Sequence, residues 1–184
     1  PICVGETNGN LTLRGSEDDR SIQYVLQRLS DAGEWHDYGR ALSGTGQALF
    51  WNNMIAGIYR VEAYSTTSGC RLQMGRADTL VERPYPQVFD LIARGGDTTN
   101  CEGVDPDVVL ELDGGEEHCS YTLWRDGEST GRTLTALPCV WDKVAGTVSG
   151  SVYSVEAVSQ YGCRTEMGEV IVVEKRAPIA LLVS

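Results

Sequence analysis

The chain has 184 residues, room for one large domain or two small ones, and a formal net charge of −11. That acidic balance excludes a nucleic-acid binder, because phosphates need a basic face. No apolar run approaches the roughly 18 residues of a membrane-spanning helix, so no membrane insertion is expected.

Six cysteines in a Gly-rich chain favour disulfide bonding in an oxidising compartment, secreted or at a cell surface. A zinc site needs closely spaced ligand pairs. The nearest two cysteines here are Cys101 and Cys119, and the two histidines, His36 and His118, stand far apart. The chain opens at Pro1 without a signal peptide, which reads as a mature or excised piece.

In chain order, Leu11-Thr12-Leu13 is a short β-prone run, and Ile22 to Leu26 follows an acidic, Gly-containing turn. The stretch Asp31 to Tyr38 is too short and too Gly-flanked for a helix and reads as a loop insertion carrying Trp35 and Tyr38. Trp51 then precedes Tyr59, Val61 and Ala63, which alternate with Arg60 and Glu62. Gly69-Cys70-Arg71-Leu72-Gln73-Met74-Gly75 closes the first half. Pro84 and Pro86 favour an extended linker.

The second half repeats the first. Gly162-Cys163-Arg164-Thr165-Glu166-Met167-Gly168 matches the Gly69 segment, Tyr153 to Ala157 matches Tyr59 to Ala63, Trp141 matches Trp51 and Tyr121 matches Tyr24. Cys101-Glu102-Gly103 matches Cys3-Val4-Gly5. Period-two alternation between frequent turns predicts an all-β protein of two tandem immunoglobulin-like β-sandwich repeats. The expected domains are 1–84, a first repeat without its first strand, and 85–176, a second. Residues 177–184 are expected to be the first strand of a further repeat or a donor strand. Gln87 to Ala93 has no counterpart before Cys3, and Pro178 follows Glu174 at the spacing by which Pro86 follows Glu82.

Six cysteines allow fifteen pairings. Duplication reduces these to one bond per repeat, Cys3–Cys70 and Cys101–Cys163, plus Cys119–Cys139 peculiar to the second. Ile22 and Leu49 hold the positions of Cys119 and Cys139 in the first repeat, so an apolar pair is exchanged for a cysteine pair.

The frame of Cys3-x-Gly5, Tyr24, Gly57-x-Tyr59-x-Val61 and Gly69-Cys70, with its second copy at Cys101-x-Gly103, Tyr121, Tyr153-x-Val155 and Gly162-Cys163, resembles the repeats of large Bacteroidetes surface proteins, including gliding-motility adhesins of the SprB type. The second copy departs by one residue between Gly150 and Tyr153, and both are longer than the usual unit. The resemblance implies an immunoglobulin-like sandwich in an extended adhesin, with no catalytic residue.

Candidate sites are few. His36 and His118 have no partner constellation for catalysis, so no enzyme activity is expected. Asp105, Asp107, Glu116 and Glu117 are weak calcium ligands by type, without the spacing of an EF-hand loop; no other cofactor is expected. Trp35 and Tyr38 are the candidate ligand-binding aromatics for a sugar or protein partner. The leading reading is a structural or adhesive segment whose partners are neighbouring repeats and, beyond them, surface polysaccharide or other cell-surface proteins. The alternatives are an accessory binding module of a secreted protein and a filament subunit assembling by strand exchange.

Overall fold

The computed structural model describes residues 1–104 and 106–176. The segment 177–184, expected as a further first strand, and Asp105 lie outside the described residues. The chain divides into two compact units, Pro1–Pro84 and Tyr85–Ser184.

In the first unit the strands are β1 (Ile2–Cys3), β2 (Gly9–Leu13), β3 (Ile22–Leu29), β4 (Trp35–Asp37), β5 (Leu42–Ser43), β6 (Leu49–Met54), β7 (Gly57–Ser65), β8 (Arg71–Leu80) and β9 (Glu82–Arg83). One sheet runs β4-β3-β7-β8, with β5 also on β3; β2 pairs with β6, and β1 runs parallel to β9. The two sheets enclose a core of Leu11, Tyr24, Leu26, Leu49, Trp51, Met54, Tyr59 and Ala63.

In the second unit they are β10 (Leu91–Ala93), β11 (Thr99–Cys101), β12 (Val108–Leu112), β13 (Cys119–Arg125), β14 (Glu128–Leu134), β15 (Val140–Val144), β16 (Ser151–Ser159) and β17 (Arg164–Lys175). A three-stranded sheet, β10-β12-β15, packs on a five-stranded one, β11-β17-β16-β13-β14. The chain leaves β10, crosses to the other sheet and pairs β11 parallel with the last strand. This is immunoglobulin-type sandwich topology.

The sequence pattern builds these strands directly. In β16, Ser151, Tyr153, Val155 and Ala157 are buried while the residues between them are not, the period-two signature of a strand with one face on the core. The Asp31–Tyr38 segment is not a plain loop. Trp35–Asp37 forms β4, antiparallel to β3 with Leu29 opposite Trp35. Three residues cannot display a period, so the pairing with β3, not the local pattern, makes the strand.

The two units share internal wiring as well as order. The Glu17 amide donates to the Tyr24 hydroxyl at 2.9 Å, and the Glu116 amide to the Tyr121 hydroxyl at 2.7 Å. The Tyr59 hydroxyl donates to the Ile55 carbonyl at 2.9 Å, and that of Tyr153 to the Ala145 carbonyl at 2.6 Å. Asn53 and Lys143, each two residues after the core tryptophan, both adopt positive φ. Arg71–Glu62 and Arg164–Glu156 form the same exposed ion pair.

They differ at the edge of the smaller sheet. β10 has no counterpart in the first unit, where β2 carries a partner only on its β6 side among the described residues.

Candidate functional site

The candidate binding aromatics do not form a platform. Trp35 lies on the outer face of its sheet, with the Arg60 guanidinium 4.4 Å from its ring centroid, a cation–π contact. The Arg60 Nε donates to Gln27 at 2.8 Å, and the Gln27 amide donates to Asp37 at 2.9 Å, which ties β4 to β3 and β7. Tyr38 turns the other way. It packs against the core and meets the Tyr59 ring edge-on at 5.5 Å. The two rings lie on opposite faces of the sheet and form no common platform; each packs against its own neighbours.

The acidic candidates do not converge either. Among the described residues no group of three metal-ligating side chains could hold an ion. Asp107 and Glu117 are exposed. The Glu116 carboxylate accepts a hydrogen bond from the Gln87 amide at 2.9 Å. In the acidic run of the first unit, Asp19 accepts from the Ser21 amide at 2.8 Å, and that bond holds its carboxyl below the usual carboxylate range. These acids shape turns. His36 stands 3.7 Å from Glu34 with both side chains largely exposed. His118 occupies a positive-φ turn before β13.

The cysteines depart most from expectation. Cys3 and Cys163 are disulfide-bonded. Cys70 and Cys101 are exposed thiols, and Cys119 and Cys139 buried ones. The expected bonds Cys3–Cys70, Cys101–Cys163 and Cys119–Cys139 are therefore not formed in this structure. For the two long pairs the reason is geometric. Cys101 pairs with Lys175 at the end of β17, whereas Cys163 immediately precedes its start at Arg164. Twelve residues of strand separate the two by roughly 40 Å, far beyond the ~7 Å Cα limit of a disulfide. Cys3, opposite Arg83, and Cys70, just before β8, stand in the same relation. Each repeat thus carries one cysteine at either pole. Cys119 and Cys139 do share one core. Ile22 and Leu49 take their places against the first core, as the exchange of an apolar pair for cysteines requires.

The feature with the most consistent architecture is a trough in the first unit. It begins between Ile22, Leu72 and Met74 and continues past Met74 to Leu11 and Leu13. Its lining is apolar at Ile22, Leu72, Met74, Leu11 and Leu13 and charged at Arg60, Arg76 and Asp78, and one rim is the edge of β2 that β6 leaves free among the described residues.

No family model matches the chain, and no curated protein matches it. Among solved structures, the fibronectin(III)-like modules of Clostridium thermocellum CbhA align over 95% of this chain and 92% of theirs, at 10% identity and a TM-score of 0.44. The human OSCAR ligand-binding domain aligns over 93% of each chain at 15% identity and a TM-score of 0.35. A DUF3823 family protein from Bacteroides uniformis aligns over 95% of this chain and 97% of its own, at 8% identity and a TM-score of 0.28. These likenesses say nothing about activity. The immunoglobulin-type assignment rests on the strand order above.

Proposed function

We propose that this chain is a non-catalytic structural or adhesive segment of a secreted or cell-surface protein, built as repeats of the kind found in large Bacteroidetes surface adhesins. The observation that carries the reading is the duplicated wiring. What the two units share is core tyrosines, a core tryptophan, bulges and turn residues, all of which maintain a sandwich. The polar side chains they share, the Arg–Glu pair and the core tyrosine hydroxyls, tie strands and turns together, whereas His36, His118, the Trp35 insertion and the buried cysteines have no equivalent in the other unit. A repeat whose common features are all architectural is a spacer or display unit. Disulfide bonding at Cys3 and Cys163 fits an oxidising compartment outside the cytoplasm. Among the described residues no helix is long and apolar enough to cross a membrane.

The reading is tested by affinity electrophoresis of the chain through gels loaded with surface polysaccharides, together with pull-down on intact cells. The isolated segment is expected to run unretarded, the ligand being held elsewhere in the parent protein. Saturable retention that disappears in Trp35→Ala would instead establish a binding module.

A further inference from the structure

The outer face of the β2-β6 sheet carries a feature outside the duplicated wiring. Of the chain's asparagines only Asn10 stands in the pattern Asn-x-Thr, as Asn10-Leu11-Thr12, with no proline between. That pattern is the acceptor of asparagine-linked sugar, and it belongs on a surface of an exported protein. A strand with one face on the core buries either the two ends of such a triplet or its middle. In β2 it is the middle: Gly9 and Leu11 are buried, and Asn10 and Thr12 are exposed. The acceptor amide and the hydroxyl that accompanies it therefore stand on one face, both in water, while Leu11 between them belongs to the core.

The same face holds an aromatic ring that the fold leaves in water. Phe50 of β6 lies opposite Thr12 and is 60% exposed. Its strand neighbours Leu49 and Trp51 supply the core instead. Asn10 is the diagonal neighbour of Phe50, at roughly 7–8 Å, a gap that one sugar ring spans. The C–H face of a pyranose packs on an aromatic face, and the exposed amides of Asn52 and Asn53 stand beside it for the hydroxyls. The second unit has none of this. Leu110 pairs with Trp141 as Leu11 pairs with Trp51. Val109 and Glu111 thus hold the places of Asn10 and Thr12, and Val140 that of Phe50. Acceptor and ring occur together in one unit and are replaced together in the other, which is what a shared role requires.

We propose that Asn10 is a glycosylation site bearing an N-linked oligosaccharide, and that Phe50 is the platform for its first sugar. The donor is an oligosaccharide carried on a polyprenyl diphosphate. Asn10 Nδ2 attacks the anomeric carbon of that sugar. A C–N bond forms as the C–O bond to the diphosphate breaks, the amide gives up one proton, and the carrier leaves with the electron pair as polyprenyl diphosphate. No electrons are exchanged, so no oxidant or reductant is required. The attached sugar covers a large apolar side chain that otherwise stands in water, and it makes the outer face of the β2-β6 sheet bulky and solvated. The site rests on the exported reading of the chain, because this transfer takes place outside the cytoplasm, and it is independent of whether the segment itself holds a ligand.

The test uses the protein purified from the cells that make it. After reduction, alkylation and trypsin, the peptide ending at Arg14 is fragmented with any sugar still attached. A glycan located on Asn10 is expected, lost in Asn10→Gln and in Thr12→Ala and retained in Thr12→Ser. The oxidation state of Cys3 and Cys163 is read in the same sample before reduction. Oxidised cysteines beside an unmodified Asn10 would overturn the site and leave the exported reading standing; reduced cysteines would overturn the exported reading and the site with it. Sugar found on Thr7 or Thr12 instead would also overturn the proposal. For the platform, urea titration compares the chain before and after enzymatic removal of the glycan, in the parent and in Phe50→Ala. Removal leaves an aspartate in both, so its charge cancels in the comparison. Removal is expected to lower the folding equilibrium constant on the order of fivefold in the parent, the size of one aromatic contact, and to change Phe50→Ala little. Equal losses in the two proteins would overturn the part given to Phe50. That ring lies outside the core, so Phe50→Ala is expected to match the parent by circular dichroism.

Discussion

At the scale of the residue, repeat-equivalent positions carry different chemistry because their surroundings differ. Burial pushes the Cys119 and Cys139 thiols above their ordinary pKa, and the thiolate is the reactive form. Cys70 and Cys101 are exposed. Native protein treated with iodoacetamide at pH 8 is therefore expected to alkylate at Cys70 and Cys101 well before Cys119 and Cys139, read by peptide mass mapping at short times; equal labelling of all four would refute the burial argument. Burial likewise raises the pKa of Tyr59, Tyr121 and Tyr153 above 10. For a raised acid the contribution to stability is complete below the unfolded pKa. It is lost as pH climbs from about 10 through the folded value, because the unfolded chain releases its protons first. Chemical denaturation at pH 9 and pH 11 is expected to show the loss, and a flat profile would contradict it. The tryptophans give a third contrast. The Trp141 indole N–H donates to the Arg132 carbonyl at 3.2 Å, while that of buried Trp51 has no partner among the described residues. β14 supplies the carbonyl in the second unit, whereas short β4 and β5 take its place in the first. Trp141→Phe is expected to cost about 1 kcal/mol more than Trp51→Phe, since only the former breaks a made bond. The tyrosines were recognisable as core from repetition, the tryptophans only as matched positions. The pole-to-pole placement of the cysteines was not, because repeat alignment shows which positions correspond and not how far a strand carries the chain between them.

At the scale of the element, what the sequence made legible was whatever local periodicity could encode. β7 and β16 alternate from Tyr59 to Ala63 and from Tyr153 to Ala157, and their identity needed no tertiary information. β4 was hidden, being three residues made into a strand by its neighbour. β10 lies between these cases: Leu91–Ala93 is equally short, but the absence of its match before Cys3 marked it as an element. The candidate site was legible to the same degree. The missing strand could be read, and the trough that it would fill required both sheets to be in place. The Gly75–Gly168 pair converts this difference into a measurement. Both sit at φ +63°, so alanine at either pays the same left-handed penalty of about 1–2 kcal/mol. Only at Gly168 does the added methyl also collide with Leu91, an overpacking cost of roughly 1–3 kcal/mol more. Urea titration of the two variants is expected to show Gly168→Ala as the more destabilised. Equal losses would mean that Leu91 yields, and that the close approach of β10 to β17 is not a tight constraint.

At the scale of the whole molecule, one pattern has produced two sandwiches of unequal depth. The second core draws buried side chains from six strands of its unit, β10 among them. The first relies on fewer, and its last strand shows the deficit. β8 is exposed along nearly its whole length, whereas β17 buries Met167 and Val172. Buried apolar surface is the main favourable term in folding, and small β domains have little to spare. The first unit should therefore open at lower free energy than the second, and its opening should begin at the exposed β8 and the two-stranded β2-β6 sheet. Hydrogen exchange followed by mass spectrometry reads this directly. Amides of β2 and β8 are expected to exchange first, those of β3 and β7 next, and those of β12, β13 and β16 last, with the order preserved as denaturant is added. Exchange of both units through a single opening event would show that they fold as one cooperative body. Earlier exchange in the second unit would show that strand number does not set stability here.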